Sequence, residues 1–157
     1  MSFIRVAILL LAAAVALPGV AQGQSTDNMQ ILIDKIKADK KLLVATNMDL
    51  TDAEAKGFWP IYDEYQKELA KINARLVDVI LQYADAYSND TLTDDTAKKL
   101  LDQMLAVQTD EVNMKKPFVS KLGRVMPMKK VARYLQIENK IRAAVNFELA
   151  AQVPLVE

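Results

Sequence analysis

The sequence predicts an all-α fold made of four long helical segments. Apolar residues recur every three or four positions along most of the chain, which is the spacing of one helix face. Almost no stretch shows the alternation of polar and apolar residues that a half-buried strand requires. Clusters of turn-forming residues interrupt the helical spacing at residues 88–93 and 122–127, and these mark the main connections.

Residues 1–21 have the order of a secretory signal peptide. Arg5 precedes an uninterrupted apolar run over residues 6–16, and small residues follow up to Ala21. This run is shorter than the roughly 20 residues needed to cross a bilayer. We therefore expect cleavage near Ala21 and export of a single all-α domain, residues 22–157, with an uncleaved anchor as the alternative.

The first helical segment covers about residues 27–46, with Ser25 or Thr26 as its N-cap. The charged stretch KADKK near its middle predicts a solvent-facing surface, so we expect this helix to pack loosely. Its apolar residues lie near one stripe and are Met29, Leu32, Ile33, Ile36 and Leu43.

The second segment begins with a capping box. The Thr51 hydroxyl can accept from the backbone N–H of Glu54, while the Glu54 carboxylate reaches back to the N–H of Thr51. Apolar residues then follow in steps of three and four, close to a coiled-coil repeat, which predicts one helix over residues 52–87. This stripe consists of Phe58, Tyr62, Tyr65, Leu69, Ile72, Leu76, Val79, Tyr83 and Tyr87.

A straight helix of that length does not fit a compact protein of this size. It would span about 54 Å at 1.5 Å per residue, whereas a globule of this chain length is roughly 37 Å across. Pro60 lacks the N–H that would bond the Lys56 carbonyl, so we predict a kink over residues 56–60. Gly57 makes this turn easier to deform. The molecule is therefore expected to be elongated, bent or both.

The third segment covers residues 94–122. Thr93 is its N-cap, and Asp94 and Asp95 place negative charge where the helix dipole favours it. Pro117 predicts a kink inside one long helix. The apolar residues of this segment are Leu100, Leu101, Met104, Leu105, Val112, Phe118, Val119 and Leu122.

The fourth segment covers residues 128–151 and is basic on one side. Gly123 can end the preceding helix, and Pro127 suits the first position of this one. Its apolar side presents Val131, Tyr134, Leu135, Ile141, Val145 and Leu149, and its basic side presents Lys129, Lys130, Arg133, Lys140 and Arg142.

Cysteine and histidine are both absent from the chain. Without them, zinc, copper and nickel sites and Cys–His or Ser–His–Asp machinery have no usual ligands or bases. Carboxylates remain, but adjacent ones such as Asp63 and Glu64 point about 100° apart on a helix and cannot share a proton. We therefore expect no enzyme activity, no metal site and no cofactor.

Charge is unevenly distributed along a chain whose net charge is zero. Residues 22–111 hold 17 acidic and 10 basic residues, a net of −7, and residues 112–157 hold 3 acidic and 9 basic residues, a net of +6. One interpretation is a basic face that pairs with the acidic body or with a partner chain. The other is a surface for anionic clients or lipid headgroups. Nucleic acid is not expected as a partner, since an exported protein does not meet the genome.

Three apolar side chains are candidates for a binding surface. Trp59 lies one position off the stripe of the second segment, beside the predicted kink, where it can face solvent or a concave surface. Met104 and Met114 suit adaptable binding, although filling gaps in a core is the more usual role of methionine. The surrounding aromatic residues fit packing in a core or a dimer seam.

The stretches DLTDAE (residues 49–54) and VMPMKK (residues 125–130) resemble the LTxxQ motifs that open helices in the Spy/CpxP group of small bacterial periplasmic proteins. The first stretch matches at Leu50 and Thr51 and has Glu54 where the group has glutamine. Glutamate closes a capping box equally well.

The second stretch is a degenerate match. Met126 stands for leucine, Pro127 for threonine and Lys130 for glutamine, and the proline keeps the helix-start role without a side-chain cap. The order of signal peptide, long helix, turn and second long helix also fits, so the resemblance covers about residues 48–142.

The resemblance implies a periplasmic, curved helical protein that forms an antiparallel, cradle-like homodimer. Such a protein binds unfolded or stress-damaged envelope proteins on its concave face without ATP. One branch of the group instead modulates a sensor kinase, so docking on an envelope sensor or membrane component is the alternative, and weak contact with anionic membranes is a third option. The metal-sensing branch uses histidines, which this chain lacks. Candidate client-binding residues are Trp59, Met104, Met114, Lys115, Lys121, Arg124 and Lys130.

Overall fold

A computed structural model of the protein describes residues 38–156, which form four helices. We call them α1 (residues 38–48), α2 (Asp52–Ser88), α3 (Asp94–Leu122) and α4 (Met128–Ala150). Residues 38–156 contain no strand, so the all-α prediction is confirmed. Outside the described residues lie the proposed signal peptide, the caps Ser25 and Thr26, and the stripe residues Met29, Leu32, Ile33 and Ile36.

The predicted caps open α2 and α3. The Thr51 hydroxyl accepts from the Glu54 N–H at 3.3 Å, and the Thr51 N–H donates to Glu54 Oε2 at 2.8 Å, which completes the capping box. Thr93 caps α3 by accepting from the N–H of Thr96. Both helices continue through their internal prolines. The kinks expected at those prolines stay predictions.

The main hydrophobic core lies where the first half of α2 meets the other helices. Aromatic rings form its centre: Tyr134 makes edge-on contacts with Phe58 at 5.2 Å and Tyr65 at 5.6 Å, and Tyr65 makes another with Phe118 at 5.2 Å. Edge-on pairs of buried aromatic rings add stability beyond the area they bury. The other members are Val44, Met48, Tyr62, Leu69, Leu122, Met126 and Val131.

Helices α2 and α3 make the most extensive helix–helix contact among the described residues. Lys121 near the end of α3 pairs with Glu64 near the start of α2 at 2.6 Å, and Arg75 pairs with Asp110 further along at 2.5 Å. Since later residues of α2 meet earlier residues of α3, the two helices run in opposite directions. No helix of the described range is long and apolar enough to cross a membrane.

Helix α1 packs into the core more tightly than expected. Val44 and Met48 are fully buried, whereas Leu43, the residue predicted from the stripe, is 44% exposed. Lys40, within the stretch expected to face solvent, donates to Gln66 Oε1 at 2.7 Å. The buried stripe is thus one position off the predicted one, and the long lysine stem reaches a polar partner while packing along the helix surface.

The stripe of α2 is buried as predicted from Phe58 to Ile72 and differs near the end of the helix. Ala86 is buried there, while Tyr87 is 37% exposed. A strict seven-residue repeat from Phe58 arrives at position 86. Tyr87 lies one position off this repeat, and the residue that follows the repeat, Ala86, is the buried one.

Candidate functional site

The two motif-like helix starts lie together. Lys130 Nζ is 2.6 Å from Glu54 Oε2 and donates to the Asp49 carbonyl at 2.7 Å. The Lys130 ammonium, and then the Thr51 backbone N–H, lower the pKa of Glu54. Met126 is buried in the core against which Leu50 also packs. The motif positions therefore join the starts of α2 and α4, and Lys130 is engaged within the chain.

The other basic candidates differ in how strongly they are held. Lys115 pairs with Glu111 at 2.7 Å and is one-quarter exposed. Lys121 is 42% exposed and pairs with Glu64 while lying 4.9 Å from the Phe118 ring centre. Exposed pairs of this kind contribute little and exchange easily. Lys121 and the exposed Arg124 are therefore accessible to a ligand. Lys115 is instead held in its ion pair with Glu111.

Trp59 and Met114 belong to the edge of the core. The Trp59 ring lies edge-on to Phe58 at 5.0 Å and to Tyr62 at 5.3 Å, and Lys41 Nζ sits 5.1 Å from its centre. Both residues are half-buried against the core cluster. Their contacts favour the packing role over the binding role.

Met104 lines an apolar groove with a cavity of about 230 Å³. The groove lies between the second half of α2, the first half of α3 and the C-terminal residues, and Tyr83 Oη donates to the Pro154 carbonyl at 2.8 Å. The other lining residues are Val79, Ile80, Leu92, Ala97, Leu100, Leu101, Val153 and Val156. Met104 is therefore the predicted candidate that the fold places at an open apolar surface.

Three apolar residues of α3 continue this surface as an exposed stripe, Leu101, Leu105 and Val112, which are 58%, 51% and 54% exposed. Their spacing of four and seven places them on one face of the helix. The interior face of the helix uses Leu100, Val107, Phe118 and Leu122. The apolar residues expected from the sequence include both sets except Val107. The helix carries apolar residues on more than one face, so periodicity alone did not separate the two sets.

A second cavity, of about 280 Å³, lies where all four helices meet. Glu138 on its wall is 5% exposed; it accepts from Lys40 Nζ at 2.9 Å and from Gln66 Nε2 at 2.8 Å. On the same wall Glu111 lies between Lys115 at 2.7 Å and Arg142 at 2.9 Å. The sequence predicts solvent exposure for Lys40 and a position on the basic side of the fourth segment for Arg142, whereas both line this cavity in the structure.

One sequence signal pointed to this cavity. Glu138 is the only acidic residue between positions 112 and 147, and it sits four residues after Tyr134 and seven before Val145, on the buried stripe of α4. A carboxylate at such a position is buried only when it is paired and hydrogen-bonded. The isolated acidic residue Glu138 in a basic, amphipathic helix therefore indicates a buried polar network.

Comparison of the chain with protein-family models, with curated proteins and with solved structures finds no match in any of the three.

Proposed function

We propose that the protein is a non-enzymatic, periplasmic holdase that binds unfolded or stress-damaged envelope proteins without ATP. The observation that carries this proposal is the apolar groove around Met104 together with the exposed stripe Leu101, Leu105 and Val112. The resemblance of the two helix starts to the Spy/CpxP group supports the same function.

The surface chemistry suits segments of unfolded polypeptide. Burying the apolar side chains of a client against the groove supplies a non-directional attraction of about 25 cal/mol per Å². The groove contains Met104, whose flexible thioether adapts to different side chains. Arg124 and Lys121 add exposed positive charge for acidic stretches of a client.

The cradle-like homodimer expected from the resemblance is part of the proposal. A second copy would extend the exposed apolar surface and enclose it on a concave side. The solution mass and shape of the mature chain test this part: an elongated dimer supports it, and a compact monomer refutes it.

The decisive experiment measures how the mature chain suppresses aggregation of a reduced or heat-treated client at stoichiometric amounts without ATP. A double variant, Leu101→Gln and Leu105→Gln, removes half-exposed apolar surface without opening the core. We expect this variant to protect less, while Leu42→Gln, a change at a similarly exposed leucine of α1, protects as well as the wild type. Absence of protection by the wild type at any ratio would refute the holdase function.

A pull-down from envelope extract adds a second criterion. Many weak, salt-sensitive partners agree with a holdase. One dominant, saturable partner would instead assign the protein to regulation of a sensor or membrane component. Flotation with anionic liposomes at low salt tests the third option, attachment through the basic side of α4, and failure to float excludes it.

A further inference from the structure

We propose that the cavity between the four helices is a binding site for a small monocarboxylate with a compact apolar body. This site is separate from the apolar groove, since the two cavities share no lining residue. The proposal does not depend on the holdase function.

Each helix contributes to the cavity wall. Helix α1 provides Lys40 and Leu43, α3 provides Glu111 and Lys115, and α2 and α4 provide the rest. Together they form an apolar side and a polar side, the arrangement typical of pockets for small organic ligands. The apolar side consists of Leu43, Leu69, Ile141 and Val145, and the polar side includes Lys40, Tyr65, Asn73, Glu111, Lys115, Glu138 and Arg142.

The wall carries three cations and three acids, but its less exposed part has three cations against two acids. Lys40 and Glu138 form one pair, while Glu111 alone faces both Lys115 and Arg142. The remaining acid on the wall, Asp39, is exposed to solvent at the rim. A bound anion would neutralise this surplus in a site where the cations are largely removed from water.

Two buried polar atoms on the wall have no hydrogen-bond partner among the described residues, Tyr65 Oη and Asn73 Oδ1. Tyr65 is fully buried, and burial first, then the charges of Glu138 and Glu111, raises the pKa of its phenol. The hydroxyl therefore stays protonated and can donate. Buried polar groups without partners are costly, and a ligand that bonds them removes that cost.

Arg142 offers a further donor. Its Nη2 lies 2.9 Å from Glu111 Oε2, close enough for an ion pair, yet the directions of the groups are not those of a hydrogen bond, and this nitrogen has no other partner in residues 38–156. A carboxylate can accept from both Arg142 and Tyr65, provided that the charges of Lys115 and Arg142 offset its repulsion from Glu111 and Glu138. A half-turn of the Asn73 amide would present a third donor, since its oxygen and nitrogen occupy nearly equivalent positions.

The volume limits the size of the ligand. A cavity of about 150 Å³ is known to hold one benzene molecule, and this one measures about 280 Å³. It therefore accommodates a molecule of roughly eight to ten non-hydrogen atoms. Hexanoate has this size, carries one carboxylate and offers a hydrocarbon body for Leu69 and Val145.

The test is calorimetric titration of the mature chain with hexanoate, with its neutral isostere hexanamide, and with acetate. We expect hexanoate to bind and both comparison compounds to bind about tenfold more weakly, because one lacks the charge and the other lacks the apolar body. Arg142→Gln should weaken hexanoate binding about tenfold for the same reason.

Tyr65→Phe separates ligand binding from folding. Removing a hydroxyl that has no protein partner should leave the thermal midpoint unchanged or raise it, yet it should weaken hexanoate binding about tenfold. Tyr62→Phe is the matched control, since Tyr62 is also buried in the core but does not line the cavity, and it should leave the affinity unchanged.

Three results would overturn the proposal. Absence of hexanoate binding at millimolar concentration would refute the monocarboxylate site. Equal binding of hexanamide would contradict the role of charge. An affinity unaffected by both Arg142→Gln and Tyr65→Phe would place any binding elsewhere, while normal client protection in the same samples would leave the holdase function standing.

Discussion

The ion pair between Lys40 and Glu138 should stabilise the attachment of α1 to the rest of the protein. Glu138 Oε2 accepts from Lys40 Nζ at 2.9 Å, and Gln66 Nε2 donates to the other carboxylate oxygen at 2.8 Å. The side chains of Glu138 and Lys40 are 4% and 20% exposed. The pair therefore links α1, α2 and α4 at a position that water barely reaches.

Removing one member should cost about 3 kcal/mol. Breaking a buried ion pair typically costs about 3–5 kcal/mol, because the remaining charge is left uncompensated. In Glu138→Leu the remaining Lys40 keeps its hydrogen bond to Gln66 Oε1 at 2.7 Å and some contact with water, which places the cost at the lower end. In Lys40→Met the buried carboxylate keeps only the Gln66 bond, so we expect a cost of about 3–4 kcal/mol.

The double variant should recover most of this loss. Lys40→Met with Glu138→Leu removes both charges and keeps similar volumes, a replacement that is often neutral, so its stability should lie within about 1 kcal/mol of the wild type. The coupling energy between the two positions, which is the sum of the two single losses less the loss of the double variant, should then be about 5 kcal/mol. Urea unfolding followed by far-UV circular dichroism at neutral pH measures all four proteins.

Lys98→Met provides the control, because Lys98 and Asp102 form a pair whose side chains are 74% and 60% exposed. Exposed pairs contribute little, so Lys98→Met should leave the urea midpoint almost unchanged. The stabilising role of the Lys40–Glu138 pair is refuted if either single variant loses less than about 1 kcal/mol, or if the two losses add without coupling.

Three further changes test other contacts. A β-carbon at Gly57 would lie 2.8 Å from Val125 Cβ, so Gly57→Ala should cost about 1–2 kcal/mol after its gain in helix propensity, and it should cost less in a Val125→Gly background, which removes that Cβ; an equal cost in both backgrounds in urea unfolding would contradict this. Trp59→Ala should keep helicity and cost about 2–3 kcal/mol because the ring packs on the core, with Trp59→Phe recovering most of it; an unchanged thermal midpoint would exclude the packing role. The lowered pKa of Glu54 means that its contribution is present above about pH 4.3 and is lost as the pH falls through the folded-state pKa, so wild-type stability should decline more steeply on acidification than that of Glu54→Gln; parallel pH curves would argue against the Lys130 contact.

The sequence predicts structural features that depend on residues close together in the chain. Thr51 and Glu54 lie three positions apart, and their capping box forms as the spacing requires. The buried stripe of α2 follows its repeat for the same reason.

Contacts between residues far apart in the chain could not be predicted from the sequence. Lys40 and Glu138 are 98 positions apart, and no sequence feature near either residue predicts their pairing. The sequence predicts easy bending at Gly57, but in the structure this residue lies against Val125, where a larger residue would clash. On α3 the apolar residues outnumber what one buried face can hold, so only the packing of neighbours decides that Leu100 is covered and Leu101 is exposed.

The position of Trp59 determines what optical unfolding experiments will report. It is the only tryptophan of the chain, and its ring lies between the aromatic core and Lys41 of α1. Its fluorescence therefore follows the separation of α1 from α2, whereas circular dichroism averages over all helices. If α1 detaches before the long helices unfold, the two signals will have different midpoints, and a two-state treatment will not apply.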